Sequence, residues 1–182
     1  VDHPEKRQKH PHYEHRTVKL DRKDNNFTSK KFHHIRKVST HKKILKSFGR
    51  IGMCLNNKSY SAIATGDLDK VCLILVNDYE NEEDELGVGP LNDGYLVGLK
   101  HHRLGYKVFY LYNPKSEEFK TYLSFFMKNT QINLTVFYSG RNTNGNLGIE
   151  FVNGSVSHAI LGEIIAQSCT GKPRFMFITD CI

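Results

Sequence analysis

The run VCLILV at residues 71–76 is short, continuously apolar and rich in branched side chains. A strand with this pattern is buried on both faces, as strands are in a parallel sheet. Three later stretches are also short and mainly apolar, at residues 106–112, 132–138 and 175–178. The sequence therefore predicts four buried strands.

Helical patterns separate these strands. Asn92 is predicted to cap one helix, which presents Leu96 and Leu99 and ends at Gly105. A second helix is predicted to begin at Ser116. Its apolar stripe recurs at helical spacing and consists of Phe119, Tyr122, Leu123 and Phe126.

A hairpin at residues 148–154, with Asn153-Gly154 as its turn, precedes a third helix at 155–167. Alternation of strand and helix favours a parallel sheet covered on both faces. The predicted fold class is α/β, a three-layer sandwich with a mostly parallel sheet.

The N-terminal third of the chain differs in charge from the rest. The 182 residues carry a net charge of +7, and residues 1–50 hold 15 of the 26 Lys and Arg. We predict a disordered basic arm over 1–34, because its few aliphatic residues cannot offset the ordering entropy. A linker over 35–69 follows, and it is predicted to bear a helix whose apolar face consists of Ile35, Val38, Leu45 and Phe48. The α/β domain over 70–182 comes after it.

Composition excludes several classes of protein. No apolar run approaches the length that crosses a bilayer, so we expect no membrane partner. The four Cys residues show no CxxC spacing, which argues against a zinc site, and no other metal or cofactor is expected. We expect an intracellular protein with reduced thiols, in the cytoplasm or, if the basic arm directs it, in the nucleus.

Ligands of parallel sheets bind beyond the carboxyl ends of the strands. At those ends the sequence places five candidate pocket residues, namely Asn77, Asp78, Ser139, Gly140 and Asp180. GxGxxG is absent after the first strand, and GxxxxGK[ST] is absent from the chain. A dinucleotide site is therefore disfavoured and a Walker-type phosphate loop is excluded.

Four stretches between residues 71 and 181 together resemble a known family. They are VCLILVNDY, GPLNDGYLVGLKHHRLGYKVFYLYN, INLTVFYSGRN and RFMFITDC. In order and spacing they are similar to the large-subunit half of the caspase and metacaspase cysteine peptidases. VFYSG at residues 136–140 matches the metacaspase motif up to its catalytic His, and FITD at 177–180 matches the strand that leads to the catalytic Cys.

The resemblance implies a Cys–His dyad, in which a thiolate attacks the peptide carbonyl and an imidazole protonates the leaving amine. The His position is occupied by Arg141 and the Cys position by Ile182. A guanidinium stays protonated and cannot serve as a general base. Cys181 lies one residue before the expected nucleophile.

Several roles stay open for these residues. Cys181 is a strand-end residue without function, a redox-sensitive thiol or an unusual nucleophile. Arg141 is a surface loop residue, a salt-bridge partner of Asp180, a contact for an acidic ligand or a group that lowers the pKa of Cys181. His101, His102 and His158 are predicted on helices, as solvated residues rather than substitute bases.

The favoured function is that of a degenerate cysteine peptidase homologue that acts by binding a protein or peptide. The partner would be an active family member, or a separate segment equivalent to the small subunit, whose strands this sequence does not show. Either would pair with the open edge of the fourth strand. The alternatives are an active peptidase that uses Cys181, and a domain that binds nucleic acid weakly through residues 1–34.

Overall fold

The computed structural model describes residues 28–63, 67–80, 82–143 and 147–181, with side chains from residue 40 onward. Most of the predicted basic arm, residues 1–27, lies outside the described residues. The described elements, in chain order, are α1 Thr28–Ile51, β1 Gly52–Cys54, a 3-10 turn Tyr60–Ala62, β2 Lys70–Val76, α2 Gly89–Arg103, β3 Lys107–Tyr112, α3 Ser116–Asn129, β4 Asn133–Gly140, β5 Gly148–Phe151, β6 Gly154–Ser157, α4 His158–Ser168 and β7 Arg174–Cys181.

Five strands form one sheet in the order β1-β3-β2-β4-β7, and every neighbouring pair is parallel. The four predicted strands are present as β2, β3, β4 and β7, but the predicted burial is wrong for β7, which lies at the edge of the sheet with its residues exposed or partly buried. The three-residue β1 was not predicted. It adds an edge strand beside β3, where Gly52 pairs with Val108.

Two apolar cores lie on the two faces of the sheet. On one face, α3, α4 and the β5–β6 hairpin cover the odd-numbered residues of β2. On the other face, α1 and α2 cover the even-numbered residues of β2, together with Val108 and Tyr110 of β3. The molecule is therefore an α/β three-layer sandwich, as its sequence predicts.

Helix α2 begins one turn earlier than predicted. The helix starts at Gly89, with Pro90 in its first turn, where the missing amide hydrogen of proline costs no hydrogen bond. Asn92 therefore lies inside the helix instead of capping it. Its buried side is formed by Leu91, Gly94 and Gly98, whereas Leu96 is exposed. The expected Leu96 face was wrong because two glycines let the helix backbone approach the sheet closely.

The hairpin and α4 also differ from expectation. Phe151 pairs with Gly154, so the turn residues are Val152 and Asn153. The three residues 155–157 belong to β6, and α4 starts only at His158. Ser157 caps it, since its hydroxyl accepts the amide of Ile160 at 3.2 Å.

Helix α1 begins at Thr28, so residues 28–34, which were predicted as part of the arm, lie in a helix. Its apolar face packs on the sheet through Phe48, which stacks on Tyr110 with ring centroids 4.1 Å apart. None of the helices in the described part of the chain is long and apolar enough to cross a membrane.

Candidate functional site

The carboxyl ends of β2, β3, β4 and β7 meet at one edge of the sheet. In the register of β4 and β7, Ser139 lies opposite Asp180 and Gly140 opposite Cys181. The amide of Asn77 donates to the Ser139 carbonyl at 2.9 Å. The five predicted pocket residues thus lie at the ends of three adjacent strands.

Arg141 is held by acidic groups and an aromatic ring. Its Nη1 lies 3.1 Å from Oε2 of Glu82 and 3.7 Å from Oε1 of Glu150. Its guanidinium carbon lies 4.0 Å from the ring centroid of Tyr79, and its Nη2 donates to the carbonyl of Asp84. The predicted bridge to Asp180 is not formed, because the guanidinium turns towards the loop after β2 and the hairpin.

Two tyrosines lie beneath Arg141. The hydroxyls of Tyr79 and Tyr138 are 3.1 Å apart, and both approach the carbonyl oxygen of Glu150, at 3.0 and 2.6 Å. The amide of Arg141 donates to the Tyr79 hydroxyl at 3.0 Å. Burial raises the pKa of both phenols, which keeps them neutral near pH 7. These contacts fix the backbone at the position where the family resemblance places the His.

Cys181 is half-buried and packs against the core that contains α3 and α4. Burial raises the pKa of its thiol, and the neighbouring Asp180 carboxylate raises it further. The expectation that Arg141 lowers this pKa is wrong, because the guanidinium is engaged by Glu82 and Glu150. The thiol is therefore in the protonated, weakly nucleophilic form near pH 7.

Asp180 lies on the opposite face of β7 from Cys181, as alternation along a strand requires. It faces α2, where Asp93 lies. Burial raises the pKa of Asp93, and Asp180 adds to that rise. This end of β7 is therefore acidic on its α2 side.

Asp78 forms a second cluster at the same edge, and its side chain is only 2% exposed. Nε2 of His41 lies 2.6 Å from Oδ2, and the Tyr112 hydroxyl donates to that oxygen, also at 2.6 Å. Oδ1 accepts from Nδ2 of Asn113 at 2.7 Å and from the amide of Glu80 at 3.0 Å. Four contacts satisfy the buried carboxylate and join α1 to the ends of β2 and β3.

Sequence reasoning missed His41. The apolar face predicted for its helix includes Val38, Leu45 and Phe48. His41 lies three residues after Val38 and four before Leu45, which places it on that face. A histidine on an otherwise apolar helical face was the signal that could have found it.

Asn77 is fully buried in the same region. Its Nδ2 is 3.4 Å from the carbonyl of Glu150, while its Oδ1 has no hydrogen-bond partner. His101, His102 and His158 lie on helices, as predicted, the first two in α2 and the third at the start of α4. Within the described ranges, no group of three His, Cys, Asp or Glu side chains is arranged to hold a metal ion.

The fold and this edge define a class: a parallel α/β sandwich with polar clusters at the carboxyl ends of its strands. Comparison with known proteins adds no family to that description. No protein-family model matches the chain, and no curated protein matches it significantly.

Proposed function

We propose that residues 70–181 form a caspase-like domain without peptidase chemistry that acts by binding a protein along β7. Two features support the family. The four motifs occur in order over most of the domain, and each one includes a strand of the sheet, the second also spanning all of α2. We also propose, from the sequence alone, that the protein is cytoplasmic or nuclear.

The loss of chemistry rests on Arg141 at the expected His position, on Ile182 at the expected Cys position, and on Cys181, the thiol one residue before it. Arg141 cannot accept a proton, and two carboxylates and Tyr79 keep its side chain in place. Cys181 has a raised pKa, whereas a nucleophilic thiol needs a lowered one. Neither a general base nor a ready thiolate is supplied by these two residues.

The observation that carries the binding function is the open edge of β7. Its eight residues pair with β4 on one side only, and among the described strands none lies on the other. The amide of Arg174 donates to the Ile132 carbonyl, so Arg174 and every second residue after it face β4. The other residues direct their amides and carbonyls away from the sheet. They are Phe175, Phe177, Thr179 and Cys181.

The occupant we propose is an extended segment of a catalytically complete relative, added to the sheet as a further strand. A row of unpaired amides and carbonyls binds such a segment through main-chain hydrogen bonds. Met176 is 57% exposed and offers an apolar contact beside them. Arg174 places a positive charge at the start of β7, and Asp180 places a negative charge near its end. A partner segment with an acidic residue beside Arg174 and a basic residue beside Asp180 would fit best.

Thr179→Pro tests this interface. Thr179 is exposed and its amide points outward, so proline removes a donor from the open edge without breaking the ladder to β4. Thr179→Ala is the matched control, because it keeps the amide. Circular dichroism checks that both variants are folded.

The tagged full chain is expressed in its source cell, and bound proteins are cross-linked through lysine and identified by mass spectrometry. We expect the wild-type protein and Thr179→Ala to capture a protein that has both catalytic groups, with a cross-link to Lys172 next to β7. Thr179→Pro should abolish this capture. Equal capture by Thr179→Pro, or cross-links that avoid β7, would refute the interface.

The peptidase alternative is tested separately. The purified chain is incubated with labelled casein and with a peptide that carries an electrophile. We expect no cleavage and no adduct on Cys181. Cleavage that disappears in Cys181→Ala would overturn the assignment of an inactive domain while leaving the β7 interface to its own test.

A further inference from the structure

A groove lies at the end of the sheet opposite to the site described above. It has a volume of about 440 Å³, within the range of small-ligand sites. Its walls are the last turns of α1 and α2 and the start of β3. Three cationic or titratable side chains line it, Arg50, His102 and Lys107, together with apolar groups that include Met53 and Phe109.

The positive charge at this groove is only partly compensated. Lys107 pairs with Asp67 at 2.9 Å, and the Asp67 side chain is 76% exposed. Among the described residues, neither Arg50 nor His102 forms an ion pair. A bound anion would therefore meet a guanidinium that is not paired with any carboxylate of the described residues.

The negative carboxyl ends of the helices do not neutralise all of this positive charge. Cations in a last helical turn are favoured by a terminus that carries about half a negative charge. The last turn of α2 holds four basic residues, namely Lys100, His101, His102 and Arg103. Two of them are permanently charged near pH 7, which exceeds what the dipole offsets. The surplus remains available to an external anion.

The positive charge also extends from the groove along α1. Helix α1 contains eight Lys and Arg and no Asp or Glu over its 24 residues. Lys42, Lys43 and Lys46 are exposed along it and lead to Arg50. A track of cations longer than the groove fits a polyanion better than an isolated small anion.

We propose that this groove binds nucleotide units of single-stranded nucleic acid, with a base on the apolar floor and phosphates along Arg50 and α1. Met53, which is 39% exposed, and the partly exposed Tyr106 offer a surface that a base can cover, while the cations follow the backbone. This site lies on the folded domain, apart from the predicted arm and from the β7 interface. It does not depend on the proposed function.

Arg50→Glu is the test variant, and it has two matched controls. Lys128→Glu makes the same charge change in the last turn of α3, on another surface. Lys19→Glu makes it in the N-terminal segment. Met53→Ser removes part of the apolar floor without altering charge. Circular dichroism confirms that each variant is folded.

Binding of the full chain to a fluorescein-labelled oligouridylate of about twelve nucleotides is followed by anisotropy at several salt concentrations. We expect Arg50→Glu to weaken binding about tenfold at ~0.1 M salt and to reduce the salt slope by about 0.7 for each phosphate that is no longer neutralised. Met53→Ser should weaken binding about threefold with an unchanged slope. Both Lys→Glu controls should change affinity by less than about twofold.

Two outcomes would overturn the proposal. Equal weakening by Arg50→Glu and Lys19→Glu would mean that net charge, and not the groove, retains the oligonucleotide. Tighter binding of ADP than of the oligonucleotide, measured by calorimetry and abolished by Arg50→Glu, would assign the groove to free nucleotides instead of a strand.

Discussion

Arg141 illustrates how one side chain can connect separate segments of the chain. Its guanidinium joins the end of β4 to the loop after β2, through Glu82 and the ring of Tyr79, and to the hairpin, through Glu150. The side chain is 19% exposed, so water screens these contacts less than those of a surface pair.

Arg141→Ala should therefore lower the free energy of unfolding by about 1–2 kcal/mol, since it removes the cation–π contact and leaves two carboxylates facing each other. Lys120→Ala is the control, because Lys120 forms an exposed pair with Glu117 on α3. That change should cost less than about 0.5 kcal/mol. Urea denaturation measures both, and equal losses would show that Arg141 is only a surface residue.

Cys181 can be compared with a second thiol of the same molecule. Burial and Asp180 raise the pKa of Cys181, whereas Cys169 is exposed. Iodoacetamide at pH 7.5 should therefore modify Cys169 first, and the rate at Cys181 should still be rising above pH 9. Peptide mapping by mass spectrometry gives both rates. Faster modification of Cys181 at pH 7.5 would show that it forms a thiolate after all.

At this scale the sequence predicts which residues reach the strand ends but not what they contact. Asn77, Asp78 and Asp180 follow directly from strand positions. The bond between His41 and Asp78 spans 37 residues, and that between Arg141 and Glu82 spans 59. Such contacts depend on how α1 and the loops pack, which local periodicity does not encode.

Among the elements, α2 shows most clearly where periodicity fails. A Cβ atom built on Gly94 would lie 2.5 Å from Cγ1 of Val76 and 3.0 Å from Cγ2 of Ile74. The helix therefore packs on the sheet through its backbone, and the face predicted from its apolar side chains is not the buried one. By contrast, the stripe on α3 was confirmed, since all four of its residues are buried.

Gly94→Ala should lower the free energy of unfolding by about 1–3 kcal/mol, because the added methyl group forces α2 away from the sheet. Gly162→Ala in α4 is the matched control, since a Cβ there meets nothing within 4 Å. It should raise stability by about 0.5–1 kcal/mol through helix propensity. Thermal and urea unfolding test both, and a stabilising Gly94→Ala would contradict the close packing of α2.

For the molecule as a whole, the two cores share the central strand β2, whose residues from Val71 to Val76 are fully buried. Because both of its faces are covered, its continuous apolar pattern, together with the alternation of strands and helices along the chain, predicted the three-layer fold. The edges were less predictable. β1 contains only three residues with a glycine among them, too few for a strand pattern to appear. The proposed β7 interface lies along one edge of the sheet, whereas the groove lies at the amino ends of β1 and β3, next to the other edge.

Cys72 makes the stability of this whole assembly depend on alkaline pH. It lies in the middle of β2, and burial raises the pKa of its thiol from 9.0 to about 12. In the unfolded chain the thiol loses its proton near pH 9, while in the folded protein it keeps the proton up to about pH 12. Its contribution to stability is therefore complete below pH 9 and declines progressively from pH 9 to about 12, by at most about 1.4 kcal/mol per pH unit.

Cys72→Ala should remove this slope, although it adds a pH-independent loss for the small cavity. The measurement is the free energy of unfolding in urea from pH 8 to 10.5, and the relevant quantity is the difference between wild type and variant. Cys169→Ser, at an exposed thiol, should leave the slope unchanged. If the difference between wild type and Cys72→Ala stays constant above pH 9, the thiol is not held protonated in the core, and the tight packing of α2 on this face of β2 would have to be revised.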